Sequence, residues 1–145
     1  MKITNIQGDA HNDERGKLVF FNEFSMEPIK RFYEINPSNT TSIRAWQGHL
    51  LETKWFYCSA GSFVIHLIAL DKEGNLRPDL LIERFVLSSA NPQILKTPGG
   101  YASGFKAIDE NSKLLVFSDV TLSESMGDDY RFPETEYNAN WHKKI

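Results

Sequence analysis

Short strand-forming runs, cut by turn signals and almost free of helical period, predict an all-β fold for this 145-residue chain. Six runs of five to nine residues, rich in Val, Ile, Phe and Tyr, carry that expectation. No segment sustains a 3.6-residue apolar period across the length of a helix. Many short strands with little helix point to an antiparallel sandwich or barrel.

The runs are Lys17 to Phe21, Ile29 to Ile35, Thr53 to Ala60, Ser62 to Leu70, Glu83 to Ser89 and Lys113 to Val120. Turn chemistry bounds them: "NPSN" at Asn36, "AG" at Ala60, "DKEGN" at Asp71 and "TPGG" at Thr97. "RPDLLIERF", from Arg77 to Phe85, has room for one helical turn, but its aromatic and β-branched continuation favours a strand. In "SFVIHLIAL" both alternating faces are apolar, so this strand is expected to be covered on both sides, by a large core or by a second copy. The stretch from Ser42 to Phe63 reads as a hairpin, and "TPGGYASGF" as a glycine-rich turn into a further strand. From about residue 123 the chain turns polar and aromatic and is expected to pack along the outside of one domain spanning residues 1–145.

Composition narrows the function. Sixteen Lys and Arg against nineteen Asp and Glu give a net charge of −3, and no dense basic run marks a nucleic-acid footprint. No apolar stretch approaches the roughly twenty residues that a membrane-spanning helix needs. The N-terminus lacks the apolar core of a signal peptide. One cysteine, Cys58, permits no disulfide within the chain. These features lead us to expect a cytoplasmic protein.

The residues with chemistry to offer cluster between positions 44 and 57. Gln47 and His49 are two apart and share one face of a strand. Lys54 and Tyr57 follow, then the glycine-rich "TPGGYASGF" with Ser103. The order resembles that of cupins, small jelly-roll barrels with an H-x-H, a carboxylate, a glycine turn and a later P-x-G-x-x-H. Here these positions read Gln47, His49, Lys54, Gly61, Pro98 and Ser103. An amide, an ammonium and a hydroxyl are poor metal ligands, so we expect neither a metal nor another cofactor.

Among cupins the chain most resembles metal-free enzymes of sugar-nucleotide modification. These are the dTDP-4-dehydro-6-deoxyglucose 3,4-ketoisomerases, WxcM-like domains included, and the dTDP-4-dehydrorhamnose 3,5-epimerases. "DERGKL", "IKRFYEI", "IRAWQGH", "TPGGYASGF", "SKLLVFSD" and "GDDYRFPETEY" resemble motifs of these families in the same order. The departures are specific. Gln47 replaces the first motif His, Ser103 replaces the second epimerase His, and Val120 stands where epimerases carry a Tyr. His49 and Lys54 are retained.

The resemblance implies a homodimeric jelly-roll barrel that binds a dTDP-linked 4-keto-6-deoxyhexose. His49 is then the candidate acid/base for an enediol transfer, with Gln47, Lys54 or Arg44 as donors to the enediolate and Tyr57 as a second acid. Arg15, Arg31 and Arg44 are candidates for the diphosphate, because the guanidinium fork suits phosphate oxygens. Trp46, Phe56 or Tyr33 could stack on the base. Each residue also has a plainer reading. His49 could be a satisfied structural histidine, Arg15 and Arg31 surface ion pairs, and Trp46, Trp55 and Phe56 core. His66 reads as a hydrogen-bonded core or barrel-lining residue, Cys58 as an inert buried thiol, and His11 and His142 as solvated. The rival function is a non-catalytic sugar-nucleotide or carbohydrate-binding cupin. Gln47, Ser103 and Val120, none suited to proton transfer, favour it.

Overall fold

The computed structural model describes the whole chain except residues 1, 78, 80, 81, 138, 140 and 142–145. The expectation for His142 therefore lies outside the described residues. Twelve strands run in order: β1 (Thr4–Gln7), β2 (Asp9–Asp13), β3 (Gly16–Phe20), β4 (Arg31–Ile35), β5 (Ile43–His49), β6 (Lys54–Ala60), β7 (Ser62–Ala69), β8 (Glu83–Ser88), β9 (Gln93–Thr97), β10 (Tyr101–Ala107), β11 (Lys113–Ser118) and β12 (Tyr130–Arg131). One short helix, α1 (Leu122–Met126), precedes β12. The all-β jelly-roll expectation is met.

Two five-stranded antiparallel sheets face each other, ordered β1-β9-β6-β11-β4 and β12-β5-β10-β7-β8, while β2 and β3 form a separate hairpin. Alternation along each strand sends one set of side chains between the sheets. That inner core holds Phe56, Phe63, Ile65, Leu67, Leu95, Leu114 and Val116. Full burial of each such side chain contributes about 1.5–3 kcal/mol.

The hairpin expected from Ser42 to Phe63 does not form. β5 pairs with β10 and β12, whereas β6 pairs with β9 and β11 in the opposite sheet. The connection crosses between the layers, so Gln47 and Lys54 meet across the barrel instead of along a ladder. Sequence adjacency suggested pairing, but burying the inner faces of both strands requires them to oppose each other.

The strand with two apolar faces is β7. Its inner face carries Phe63, Ile65 and Leu67. Its outer face carries Val64, His66 and Ile68, and the chain's own C-terminal segment covers it, with Phe132, Tyr137, Ala139 and Trp141 packed there beside Trp46. Gly104 makes that contact possible, since a Cβ on it would sit 2.8 Å from the Trp141 ring. The tail thus lies along the outside, and the two-sided cover of β7 needs no second copy.

Several elements escape the sequence reading. β1 and β2 are polar edge or hairpin strands without the Val/Ile/Phe signature. α1 is five residues long, too short for a period, and a capping box starts it. Thr121 accepts the Glu124 N–H, and Glu124 accepts the Thr121 N–H.

Candidate active site

A cavity of about 660 Å³ opens between the sheets, beneath α1 and β12. Strand alternation supplies its walls. Arg31 and Tyr33 come from β4, Arg44 and Gln47 from β5, Lys54 and Phe56 from β6, Ser103 and Phe105 from β10. Leu122 and Met126 on α1 form an exposed apolar rim, and Asp129, Arg131 and Phe132 complete the wall. Among the described residues, Arg31, Arg44, Lys54 and Arg131 face only two lining carboxylates, Glu34 and Asp129. The excess of positive charge suits an anionic ligand.

The cations differ in freedom. Arg31 donates to the Val120 carbonyl at 3.2 Å and to Glu52 Oε2 at 3.3 Å. Arg131 pairs with Asp129 at 3.0 Å. Lys54 donates to Gln47 Oε1 at 3.3 Å, and Gln47 donates onward to Asp129 Oδ1 at 3.2 Å. Arg44 has no ion-pair partner among the described residues and is open to a ligand. Burial lowers the Lys54 ammonium to about 8, with Glu52 opposing the shift. Burial raises the Tyr33 hydroxyl to about 12, so it stays a neutral donor.

His49 sits on the same inner face as Gln47. Their β10 partners confirm this, since Ser103, opposite Gln47, lines the cavity and Tyr101, opposite His49, joins the inner core. Its Nδ1 lies 2.6 Å from the Asp128 carbonyl oxygen. A carbonyl only accepts, so Nδ1 carries the proton and Nε2 keeps its lone pair. That Nε2 is buried without a hydrogen-bond partner. Burial first, then the Lys54 charge, lower the His49 pKa, against the Asp128 carbonyl and the Glu52 and Asp128 charges. The ring is therefore neutral at neutral pH.

The Asp128 carboxylate orders the β5–β6 crossing by accepting the N–H groups of Leu50, Leu51 and Glu52 at 2.8–2.9 Å. Glu52, Asp128, Asp129 and Arg131 are the site residues that sequence reading missed. The signal present was the "GDDYR" of the tail, a segment expected only to pack along the outside.

The structure gathers Gln47, Lys54, Arg31, Arg44 and Ser103 around the cavity, with His49 alongside. It does not bring Tyr57 or Arg15 there. Tyr57 lies on the outer face of β6, edge-on to Phe21 at 5.0 Å, because three residues from Lys54 is an odd step on a strand. Arg15 is at the β2–β3 turn, 83 % exposed and paired with Asp13. Trp46 touches the cavity wall, but its ring packs on Trp141 at 5.5 Å and is not free to stack on a ligand. His66 is buried as core, as expected, but it does not line the barrel. It faces outward, stacked on Trp141 at 4.4 Å, and its Nδ1 has no hydrogen-bond partner. Among the described residues, no three His, Cys, Asp or Glu side chains stand together to hold a metal ion. No helix among them is long and apolar enough to cross a membrane.

No family model matches the chain. A Haloferax volcanii protein named "Probable low-salt glycan biosynthesis epimerase" is 26 % identical over 142 residues, covering 94 % of this chain and 84 % of its own length. A 3,4-ketoisomerase from Helicobacter canadensis superposes with a TM-score of 0.71 at 22 % identity, covering 91 % of this chain and 92 % of that one. A 3′-monoepimerase from Streptomyces bikiniensis, solved with dTDP-quinovose, gives a TM-score of 0.78 at 12 % identity over 99 % of this chain and 76 % of that one. The chain thus shares the jelly-roll barrel of the dTDP-sugar 3,4-ketoisomerases and epimerases.

Proposed function

We propose that this protein is an isomerase of a dTDP-linked 4-keto-6-deoxyhexose, acting as a 3,4-ketoisomerase or an epimerase through an enediol. The observation that carries this reading is a neutral imidazole with a free Nε2 beside a cation-rich, aromatic-walled cavity. Its volume falls within the about 300–1,000 Å³ usual for ligand pockets. The 4-keto group acidifies the proton on C3. His49 Nε2 takes that proton, and the C–H electron pair passes through the new C3=C4 bond to O4. Lys54 and Arg44 supply positive charge for the enediolate and the diphosphate. Return of the proton to C4, with the O3 proton passing to O4, gives the 3-keto sugar. Delivery of a proton to the opposite face of C3, from a donor other than His49, gives the epimer.

The same reading takes the protein to be a homodimer in the cytoplasm. The β2–β3 hairpin is hydrogen-bonded to no other strand among the described residues, so it is an arm that a second copy can receive. In such a dimer Arg15, at its tip, is the cation offered to the partner's cavity. Cys58 fits a reducing compartment as a buried free thiol, with burial holding its pKa up at about 11.

The non-catalytic binding cupin is favoured by one observation: Gln47 and Ser103, which cannot exchange protons near neutral pH, line the cavity where His49 does not. Proton NMR with dTDP-4-dehydro-6-deoxyglucose in deuterated buffer separates the readings. Loss of the C3 signal is the expected result. Loss of the C5 signal instead makes the protein an epimerase, and line broadening without exchange makes it a binding module.

A further inference from the structure

A buried polar cluster behind the cavity wall centres on Glu52, whose side chain is wholly removed from solvent. Both oxygens are occupied. Oε2 accepts the Ser118 hydroxyl of β11 at 2.7 Å and the Arg31 guanidinium of β4 at 3.3 Å. Oε1 accepts the Ser125 hydroxyl of α1 at 2.6 Å and lies 3.5 Å from His49 Nδ1. Four elements thus converge on one carboxylate. Burying a carboxylate forfeits its hydration, and an apolar core would tie these elements together without that penalty. Its position against the imidazole gives it a use that a purely structural tie would lack.

We propose that Glu52 is the positioning residue of the base: held by Ser118, Ser125 and Arg31, its carboxylate faces the Nδ1 edge of His49 and stabilises the imidazolium formed when Nε2 accepts the substrate proton. This role rests on the isomerase reading above. Glu52 itself takes no proton. The Nδ1 proton stays on the ring, donated to the Asp128 carbonyl, and the charge created at the ring finds an anion within 3.5 Å. The other charges around His49 are Lys54 on β6, Arg31 on β4, and Asp128, Asp129 and Arg131 on the α1–β12 segment. Lys54 and the arginines oppose an imidazolium. Asp129 is committed to Arg131 and Gln47, and the Asp128 carboxylate to three backbone N–H groups. Glu52 is the carboxylate in ion-pair range of the ring among the described residues. Through Ser125 it also joins the base to the helix that rims the cavity mouth, which aligns ring and rim together.

The test follows the His49 ring directly. Side-chain NMR titration of the full chain should show His49 titrating about one pH unit lower in Glu52→Gln than in wild type, because an opposite charge at this range has been removed. Glu52→Asp should recover part of the shift. The acid limb of C3 proton exchange should move down by the same amount, with a slower plateau. An unchanged His49 titration in a folded Glu52→Gln variant would overturn the proposal, whatever the exchange shows. Absence of exchange in the wild type would instead overturn the isomerase reading, while the titration still reports on Glu52. Should Glu52→Gln not fold, Ser125→Ala strips one hydroxyl from Oε1 and leaves the carboxylate. The unshielded oxygen should then raise the His49 titration, and no rise would overturn the proposal.

Discussion

Among the described residues the barrel has two buried histidines, and they sit on opposite faces of the same sheet. His49, on the inner face of β5, donates through Nδ1 to a carbonyl, faces a carboxylate, and lies close to Lys54 and the cavity. His66, on the outer face of β7, stacks on Trp141 with no carboxylate in ion-pair range among the described residues, and burial with the Arg84 charge lowers it to about 4. Each has one buried ring nitrogen without a hydrogen-bond partner. Burial makes both rings neutral. What differs is the surroundings: on the inner face, fixed charges can answer a proton that arrives, and on the outer face no described residue does. An imidazole becomes useful chemistry only where its environment can accommodate both of its charge states.

The comparison is broken most directly by exchanging each ring for an amide. His49→Asn is expected to slow C3 proton exchange by at least about a hundredfold, as removal of a general base does, with the fold kept as judged by circular dichroism. His66→Asn should leave exchange within about threefold of wild type. Equal losses in both variants would mean that the inner histidine is no more than packing.

A second prediction concerns stability and pH. Folded His66 protonates near 4 and its unfolded counterpart near 6.5, so between these values the unfolded chain binds the additional proton. Stability should therefore fall as the pH drops from about 6.5 to about 4, with His49 adding to the same slope. His66→Phe should flatten the dependence in urea unfolding at a series of pH values. An unaltered slope would show that the outer ring is less buried in solution than its packing implies.

Strand β6 offers the same contrast between an inner and an outer residue. Lys54 titrates near 8, so a charge-dependent step should weaken as the pH rises through about 8, and Lys54→Met should remove that basic limb from the exchange profile. A limb that survives the substitution would assign it to another group. Tyr57, three residues on, points away. Tyr57→Phe should change exchange by no more than about twofold, the range of a substitution remote from the chemistry.

Much of this was legible before folding. The runs that became β4, β6, β7, β8 and β11 announced themselves through β-branched and aromatic density, and the two apolar faces of "SFVIHLIAL" required cover on both sides. The odd step from Lys54 to Tyr57 already separated their faces. Reading 42–63 as one hairpin hid this by placing its polar residues on a common site. β1 and β2 were illegible for another reason: hairpin and edge strands satisfy their backbones by pairing, whatever their side chains. α1 was hidden by its length, although Thr121 and Glu124 spelled its cap.

The sequence by itself determined the strand class, the shared face of Gln47 and His49, and the retained Lys54, because these depend on residue type and a period of two. Only the tertiary structure decided what stands around them. It set Lys54 against Gln47 across the barrel, laid Trp141 over β7, and brought Asp128, 79 residues beyond His49, to its ring. It also joined Glu52 to partners 21, 66 and 73 residues away. Alternation along a strand is a local property of the chain. Which charge faces which depends on how two sheets cross, and no local pattern encodes that.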